Sequence, residues 1–175
     1  TTTRIRELVQ RKFGKRACLW QIRVGQSLAA GKDVVGVAAT GAGKTMTFYI
    51  RLLMALEDGE GDRMMIIVTP LNILGKQNSH SDRVKNLDYR VIIVNPELLL
   101  KENGQFGKLW NDGKFTQNLL YIVFDEAHCV STWKAFRTEY GHAGDLRFLI
   151  SKPIPVYAAS ATLPPPILHD VTRLL

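Results

Sequence analysis

An apolar segment that breaks into a glycine-rich turn constrains this chain more than any other feature. Residues 34–39 read Val-Val-Gly-Val-Ala-Ala, and the next residues are Thr40-Gly41-Ala42-Gly43-Lys44-Thr45. The pattern predicts a buried strand, a loop whose glycines let backbone N–H groups curl around phosphate oxygens, and a helix whose N-terminus faces them. We expect Lys44 to contact the outer phosphates of a nucleoside triphosphate and Thr45 to offer its hydroxyl to Mg²⁺.

A second motif follows another apolar run. Residues 119–124, Leu-Leu-Tyr-Ile-Val-Phe, are too continuously apolar for a half-exposed strand, and Asp125-Glu126-Ala127-His128 comes directly after them. Carboxylates at the carboxyl end of a parallel strand lie where open α/β folds bind ligands. We expect Asp125 to hold Mg²⁺ through a water and Glu126 to deprotonate the water that attacks the γ-phosphate. A solvated Asp-Glu pair after a strand is common, so this hypothesis depends on the preceding motif.

The spacing of apolar runs predicts the fold class. Five runs, each separated by polar or helical stretches, occupy residues 34–39, 64–69, 91–95, 119–124 and 156–160. This alternation indicates an α/β fold with a doubly wound, mainly parallel sheet and helices on both faces. Helical spacing before the first run predicts a helix over residues 4–13, with Thr3 as its N-cap and Gly14 at its end, and a second short helix before Gly31.

Composition agrees with one folded unit. The chain has 175 residues, of which 46% are hydrophobic, and its apolar runs are all too short to cross a bilayer, so we expect no membrane partner. Cys18 and Cys129 have neither zinc-site nor disulfide-framework spacing, which is typical of a reducing compartment. The net charge of +7 favours an acidic partner such as nucleic acid.

Small polar residues follow the other strands and complete an ordered set of motifs. These are Thr69-Pro70-Leu71, Asn95-Pro96-Glu97 and Ser160-Ala161-Thr162. Taken alone, each is an ordinary turn sequence. Together with the glycine loop and the acidic motif, in this order, they resemble the first RecA-like lobe of superfamily 2 helicases. The segment Cys129-Val130-Ser131-Thr132-Trp133, followed by Phe136, Arg137 and Tyr140, resembles the aromatic-rich loop of RecQ-family DNA helicases.

The resemblance implies an organisation and a nucleotide site. Residues 1–33 would form N-terminal helices with an adenine-reading glutamine, residues 34–175 would form a RecA-like, P-loop ATP-binding lobe, and both would make one domain without its second lobe. Gln21 has the family's spacing from Gly31 and is our candidate, with Gln26 as its rival. The implied ATP contacts are Gln21, Thr40, Gly41, Ala42, Gly43, Lys44, Thr45 and Met46, with Mg²⁺ on Thr45 and Asp125.

A further group of residues is implied in DNA contact or in coupling it to the ATP site. Its members are Thr69, Pro70, Asn95, Pro96, Glu97, His128, Trp133, Phe136, Arg137, Ser160 and Thr162. We expect Trp133 and Phe136 to stack on unpaired bases, although their spacing also fits a plain amphipathic helix packed on the core. His128 is expected to bridge the acidic motif to Thr162 or to the second lobe. Residues 77–90 are short for the family, so we expect either a trimmed relative or a sequence break near 77–84, where a segment is missing.

The implied activity is that of lobe 1 of a RecQ-like ATP-dependent DNA helicase. Joined to a second RecA-like lobe, it would couple ATP hydrolysis to 3'-5' translocation and unwinding at single strands and duplex junctions. Alone it would have little activity, because the second lobe supplies catalytic arginines. Alternatives are a DEAD/DEAH-type RNA helicase lobe, a kinase, or a nucleotide-gated nucleic-acid-binding module without turnover. The expected compartment is the nucleus in a eukaryote and the cytoplasm otherwise.

Overall fold

The computed structural model describes residues 1–70, 89–100, 104–132, 150 and 152–174. Within these ranges, five strands pair in parallel into one sheet, in the order β1-β5-β4-β2-β3. They are β1 (Val34–Val37), β2 (Met64–Val68), β3 (Val91–Val94), β4 (Leu119–Phe124) and β5 (Val156–Ser160). The predicted parallel α/β sheet is therefore confirmed, and the strands coincide with the five apolar runs to within two residues at their ends.

The helices that the structure describes lie between and beside these strands. They are α1 (Thr2–Phe13), α2 (Leu19–Ala29), α3 (Lys44–Glu57), α4 (Pro96–Leu100), α5 (Gln105–Trp110), α6 (Gly113–Asn118), α7 (His128–Thr132) and α8 (Pro165–Leu174). Gly14 ends α1 as predicted, in a left-handed conformation with φ 64°. The prediction of Thr3 as N-cap was wrong: the Thr1 hydroxyl accepts from the Arg4 N–H at 3.4 Å, because the helix starts earlier and Thr3 already lies in its first turn.

The two outer strands of the sheet, β1 and β3, leave side chains exposed. Val35 and Val37 of β1 and Ile93 of β3 are exposed. The prediction that the first strand is buried was therefore wrong, because β1 lies at the border of the sheet with β5 as its one neighbouring strand among those described.

The three central strands are covered on both faces, as their continuous apolar sequences require. Successive residues of β2, β4 and β5 point to opposite faces, and both sets are buried. One face packs against α2 and α3 through residues such as Met65, Val123 and Tyr157. The other face packs against helices that include α5 and α8, through residues such as Ile66 and Phe124. The first helix joins through a smaller cluster in which Ile5 and Val9 of α1 meet Ile22 and Ile50.

The strand order brings the ends of β1, β5 and β4 side by side. Ala38 N–H donates to the Ser160 carbonyl at 3.1 Å just beyond β1. Ala127 N–H donates to the Ala159 carbonyl at 2.8 Å just beyond β4, and Asp125 N–H donates to the Val68 carbonyl at 2.9 Å. The glycine loop, the acidic motif and Ser160 consequently lie together at the carboxyl end of the sheet, although they are far apart in sequence. Among the described residues, no helix combines the length and apolar character that a membrane crossing needs.

Candidate functional site

The loop between β1 and α3 depends on two glycines in left-handed conformations. Gly41 and Gly43 both have φ 84°, a region that L-residues with a Cβ rarely adopt. A Cβ on Gly41 would meet no atom within 4 Å, so backbone conformation rather than space requires glycine there. Gly43 is the N-cap of α3 and leaves the helix N-terminus uncovered by any side-chain cap. The helix N-terminus after the loop is thus open to an external acceptor in place of a side-chain cap, as phosphate binding needs.

Lys44 lies at the start of α3 with its ammonium held against the loop. Its Nζ donates to the Ala38 carbonyl at 2.7 Å and to the Ala39 carbonyl at 3.3 Å. Burial raises the pKa of the nearby Asp125 carboxyl group, and the positive charge of Lys44 partly opposes that rise. Thr40 and Thr45 are exposed, whereas Met46 is half-buried against the cluster formed with α1. The structure thus brings the predicted phosphate-binding residues together at one loop.

The acidic motif turns sharply at the end of β4. Burial raises the pKa of Asp125, and the nearby charge of Glu126 adds to the rise, while the Glu126 N–H and the charge of Lys44 oppose it. The same N–H donates to Asp125 Oδ1 at 3.0 Å. Glu126 has φ 49°, the one positive φ among the described non-glycine residues. Such a conformation costs of order 1–3 kcal/mol and is typical of functional sites, where the surrounding structure over-determines it.

His128 links this motif to the end of β5. Its Nδ1 lies 3.0 Å from Ser160 Oγ and 3.3 Å from Glu126 Oε2. Ser160 is completely buried, and its hydroxyl donates to the Thr162 carbonyl at 2.9 Å. The expected bridge from His128 to Thr162 therefore runs through Ser160 and ends on the main chain of Thr162, whose residue is exposed. One imidazole nitrogen therefore lies close both to the Glu126 carboxylate and to the end of β5.

Gln21 contacts the phosphate loop from the side of α2. It is 3% exposed, and its Oε1 accepts from the Cys18 N–H at 2.7 Å. Its Nε2 donates to the Gly43 carbonyl at 3.2 Å. The amide still has one N–H and acceptor capacity beyond these bonds. Gln26, the rival candidate, lies in the later part of α2 and is half-buried.

The remaining motif residues that the structure describes follow two strands, β2 and β3. Thr69 follows β2, is 6% exposed, and its N–H donates to the Val94 carbonyl at 3.0 Å; Pro70 comes directly after it. Asn95 Oδ1 accepts from the Leu98 N–H at 2.9 Å and so caps α4, in which Pro96 and Glu97 form the first turn. β3 and β1 are the two outermost strands of the sheet, on opposite sides of it. Asn95, Pro96 and Glu97, which follow β3, therefore lie far from the phosphate loop, which follows β1.

The segment predicted to be an aromatic-rich loop is described only in its first part, where residues 129–132 belong to α7. Trp133, Phe136, Arg137 and Tyr140 fall in the range 133–149, and the expected break near 77–84 falls in the range 71–88. Their predicted roles stay predictions.

Sequence reasoning missed three residues beneath the phosphate loop. Tyr157 of β5 and Thr47 of α3 are fully buried and their hydroxyl oxygens lie 2.8 Å apart. Gly36 of β1 makes room for the Tyr157 ring. An isolated glycine within a strand often marks close approach of another group, and Gly36 was that signal in the sequence.

Comparisons with known proteins agree with this geometry. A protein-family model described as the DEAD/DEAH box helicase matches residues 19–81 and 72–171, two overlapping segments that cover most of the chain. The probable ATP-dependent DNA helicase RecS of Bacillus subtilis is 28% identical over 169 residues, which are 86% of this chain and 32% of the relative. The ATP-dependent DNA helicase Q5 of Rattus norvegicus is 27% identical over 197 residues, 98% of this chain and 20% of the relative.

A solved structure shows the same fold. The crystal structure of the DUF1998 helicase MrfA bound to DNA and AMPPNP superposes with a TM-score of 0.64 at 18% identity, over 98% of this chain and 28% of that one. The chain spans about a third or less of the length of these proteins. The predicted resemblance to a superfamily 2, RecQ-like helicase lobe is confirmed by the family match and by these relatives. The chain belongs to the DEAD/DEAH box helicase family.

Proposed function

We propose that this chain is the ATP-binding lobe of a RecQ-like ATP-dependent DNA helicase. Joined to a second RecA-like lobe, it couples ATP hydrolysis to 3'-5' translocation on single-stranded DNA and to unwinding at duplex junctions. The observation that carries the proposal is that a left-handed glycine loop with Lys44, a partly buried Asp125, and Glu126 beside His128 lie together at the carboxyl end of the sheet. The proposed compartment is the nucleus in a eukaryote and the cytoplasm otherwise.

The loop residues fit the triphosphate of ATP. The main chain of Thr40, Gly41, Ala42 and Gly43 would surround the phosphates with N–H donors, and Lys44 would exchange its carbonyl partners for phosphate oxygens. Gln21 would use its remaining amide hydrogen-bonding capacity on adenine.

The oxygen donors at the same edge fit Mg²⁺. Thr45 Oγ1 and an Asp125 carboxylate oxygen are the hard ligands this ion prefers, and the partly desolvated carboxylate is a stronger partner for a cation than a fully solvated one. Held by Thr45 and Asp125, Mg²⁺ would supply positive charge near the transferring phosphoryl group.

Glu126 is positioned to act as the general base. Its backbone has a positive φ of 49°, and His128 Nδ1 lies 3.3 Å from its Oε2. Glu126 would accept the proton of the attacking water while Lys44 holds the outer phosphates. Arginines from a second lobe would complete the stabilisation of the transition state, so this chain by itself should hydrolyse ATP slowly.

Contact with DNA is proposed through charge and through the segment that follows α7. The chain carries a net charge of +7, which favours the phosphate backbone. Trp133 and Phe136 would stack on unpaired bases, and Arg137 would contact a phosphate. Because the segment starts within a few residues of Glu126, strand contact can reach the catalytic carboxylate over a short distance.

Nucleotide titration with one substitution tests the proposal. Lys44→Ala is expected to lower affinity for Mg-ATP by about 10-fold to 100-fold, because hydrogen bonds to charged groups contribute ~1.5–3 kcal/mol each. Lys32→Ala, in the exposed turn before β1, is the matched control and should bind as the unchanged chain does. Equal affinity of a folded Lys44→Ala variant would reject the nucleotide site.

Hydrolysis assays separate the alternatives for the nucleic-acid partner. In a protein that carries both lobes, single-stranded DNA should stimulate ATP hydrolysis more than single-stranded RNA of the same sequence. Stronger stimulation by RNA would favour an RNA helicase lobe, and phosphate transfer to a small acceptor would favour a kinase. Strand binding that depends on ATP without any turnover would favour a nucleotide-gated binding module.

A further inference from the structure

A buried tyrosine lies directly beneath the phosphate loop. Tyr157 belongs to β5, which pairs with both β1 and β4, and its side chain is completely buried. Its hydroxyl lies 2.8 Å from Oγ1 of Thr47, which is also completely buried, in the first turn of α3. A polar pair so deep in an apolar cluster must satisfy its own hydrogen bonds, because no water reaches it.

The direction of these hydrogen bonds follows from counting protons. Thr47 Oγ1 donates its one hydrogen to the Lys44 carbonyl at 2.5 Å. It therefore has only acceptor capacity left for Tyr157, and the Tyr157 hydroxyl must be the donor. The result is a relay from β5 through Thr47 to the main chain of Lys44, the residue whose ammonium lies against the phosphate loop.

The neighbouring strand β1 has a glycine, Gly36, where the Tyr157 side chain lies against it. A Cβ built on Gly36 would lie 2.7 Å from Tyr157 Oη and 2.8 Å from Tyr157 Cε2, distances that real side chains do not tolerate. The ring also packs edge-on against Phe48, with centroids 5.7 Å apart and planes at 76°. Gly36 and Phe48 therefore contact the Tyr157 side chain, and its hydroxyl lies at Thr47.

The tyrosine also lies near the acidic motif. Burial raises the pKa of Tyr157, and the charge of Asp125 raises it further. Tyr157 is paired in register with Val123, two residues before Asp125 on the adjacent strand. One side chain thus connects to the main chain of Lys44 while lying within electrostatic reach of the carboxylate assigned to Mg²⁺.

We propose that Tyr157 is a positioning residue of the nucleotide site, which sets the start of α3 relative to the end of β4 through its bond to Thr47. Lys44 and Thr45 are thereby held at a defined separation from Asp125, so that phosphate and metal contacts form together without rearrangement. The inference rests on the proposed ATP-binding function and adds a residue pair to it.

A second buried tyrosine provides a matched control. Tyr121 of β4 is completely buried on the same face and donates to the Phe48 carbonyl of α3, with Met65 Sδ 2.8 Å from its hydroxyl. It therefore anchors the same helix to the same sheet, but its bond ends on Phe48 and has no continuation to Lys44. Removing the Tyr121 hydroxyl tests helix anchoring alone, whereas removing the Tyr157 hydroxyl tests anchoring plus the relay.

The experiment measures binding of a fluorescent ATP analogue to the full chain with saturating Mg²⁺, beside thermal melting of each variant. Tyr157→Phe keeps the ring contact with Phe48 and is expected to weaken binding about threefold to tenfold, the effect of one hydrogen bond. Tyr121→Phe should leave the affinity for the ATP analogue unchanged. It should lower the melting temperature at least as much as Tyr157→Phe does. Loss of affinity in Tyr157→Phe would then be separable from loss of stability.

Substitutions of Thr47 test the relay from its other end. Thr47→Val keeps the shape and removes the hydroxyl, so it should weaken nucleotide binding as Tyr157→Phe does, whereas Thr47→Ser keeps the hydroxyl and should restore most of the affinity. The double variant Tyr157→Phe with Thr47→Val should bind no worse than Thr47→Val alone, because both changes break one connection.

The outcomes distinguish this inference from the proposed function. Wild-type affinity in folded Tyr157→Phe or Thr47→Val, or an equal loss in Tyr121→Phe, would overturn the positioning role while leaving the ATP site intact. Should the unchanged chain and Lys44→Ala both fail to bind the analogue, the nucleotide site itself would be rejected, and the positioning role with it.

Discussion

Gln21 Nε2 donates to the main-chain carbonyl of Gly43 at 3.2 Å and so joins α2 directly to the phosphate loop. The other end of the same amide accepts from the Cys18 N–H at 2.7 Å, at the N-terminus of α2. A side chain that is 3% exposed and bonded at both ends has a structural role whatever else it does. Its proposed contact with adenine would add to that role, and the two contributions are separable by the choice of nucleotide.

Gln21→Ala is expected to lower affinity for ATP more than affinity for GTP. Loss of the bond to Gly43 loosens the loop for both nucleotides, whereas loss of an amide partner on the base affects only adenine. Titration with both nucleotides measures the difference, and Gln26→Ala, in the same helix, is the matched control. Equal losses for ATP and GTP would leave Gln21 as a clamp on the loop and remove its role in reading the base.

Glu126→Gln and Asp125→Asn should separate the two carboxylates. In a protein with both lobes, Glu126→Gln is expected to bind Mg-ATP normally and to stop hydrolysis, because an amide keeps the shape but accepts no proton from water. Asp125→Asn should instead raise the Mg²⁺ concentration that half-saturates nucleotide binding. Metal titrations of both variants provide the measurement. If the two variants gave the same Mg²⁺ dependence, the proposed division between base and metal ligand would be wrong.

Asp125→Asn is also expected to make the nucleotide-free chain more stable at neutral pH. Burial, with the charge of Glu126, raises the pKa of Asp125 above its ordinary 3.8, so the folded state binds the proton more tightly than the unfolded chain does. Stability from this group is then present at low pH and is lost as pH rises through the raised pKa.

Thermal melting across a pH series tests that sign. The melting temperature of Asp125→Asn should exceed that of the unchanged chain at pH 7, and the gap should narrow as pH falls toward 3.8. Mg-ATP should reverse the order by stabilising the unchanged chain more, since a ligand stabilises the state that binds it. If the difference in melting temperature between Asp125→Asn and the unchanged chain grew as the pH fell, the raised pKa of Asp125 would be contradicted.

Trp133→Ala and Phe136→Ala are expected to reduce DNA-stimulated ATP hydrolysis in the two-lobed protein with little effect on nucleotide binding. The physical reason is that each stacked base contributes ~1–3 kcal/mol to strand binding, and this contact lies close in sequence to Glu126. Strand titrations of hydrolysis, beside thermal melting, provide the measurement.

Trp110→Ala is the control for a tryptophan that packs in the core. Trp110 is 5% exposed and packs against Phe115 with ring centroids 5.7 Å apart, so its truncation should cost ~3–5 kcal/mol of stability. If Trp133→Ala destabilised the protein as strongly and showed no selective loss of stimulation, Trp133 would be a packing residue and the amphipathic-helix alternative would hold.

Local chemistry let the sequence predict most of the elements. The strand Leu119–Phe124 has the predicted bounds, because a continuous apolar run specifies local structure. The helix Lys44–Glu57 begins directly after the glycine loop, where the sequence predicts a helix N-terminus. The N-cap of α1 was misplaced by two residues, since Thr1 and Thr3 offer the same hydroxyl and only the start of the helix decides between them.

The sequence by itself determined which chemical groups this protein carries, since the phosphate-binding loop and the acidic motif are each contiguous. Tertiary structure alone decided their partners. His128 bonds Ser160 rather than the Thr162 side chain, and Tyr157 bonds Thr47 from 110 positions away. These pairs depend on β5 lying between β1 and β4, an order set by how the whole chain buries both faces of its sheet. Because strand order arises from burial summed over the chain, no local pattern near Tyr157 or Ser160 contains it.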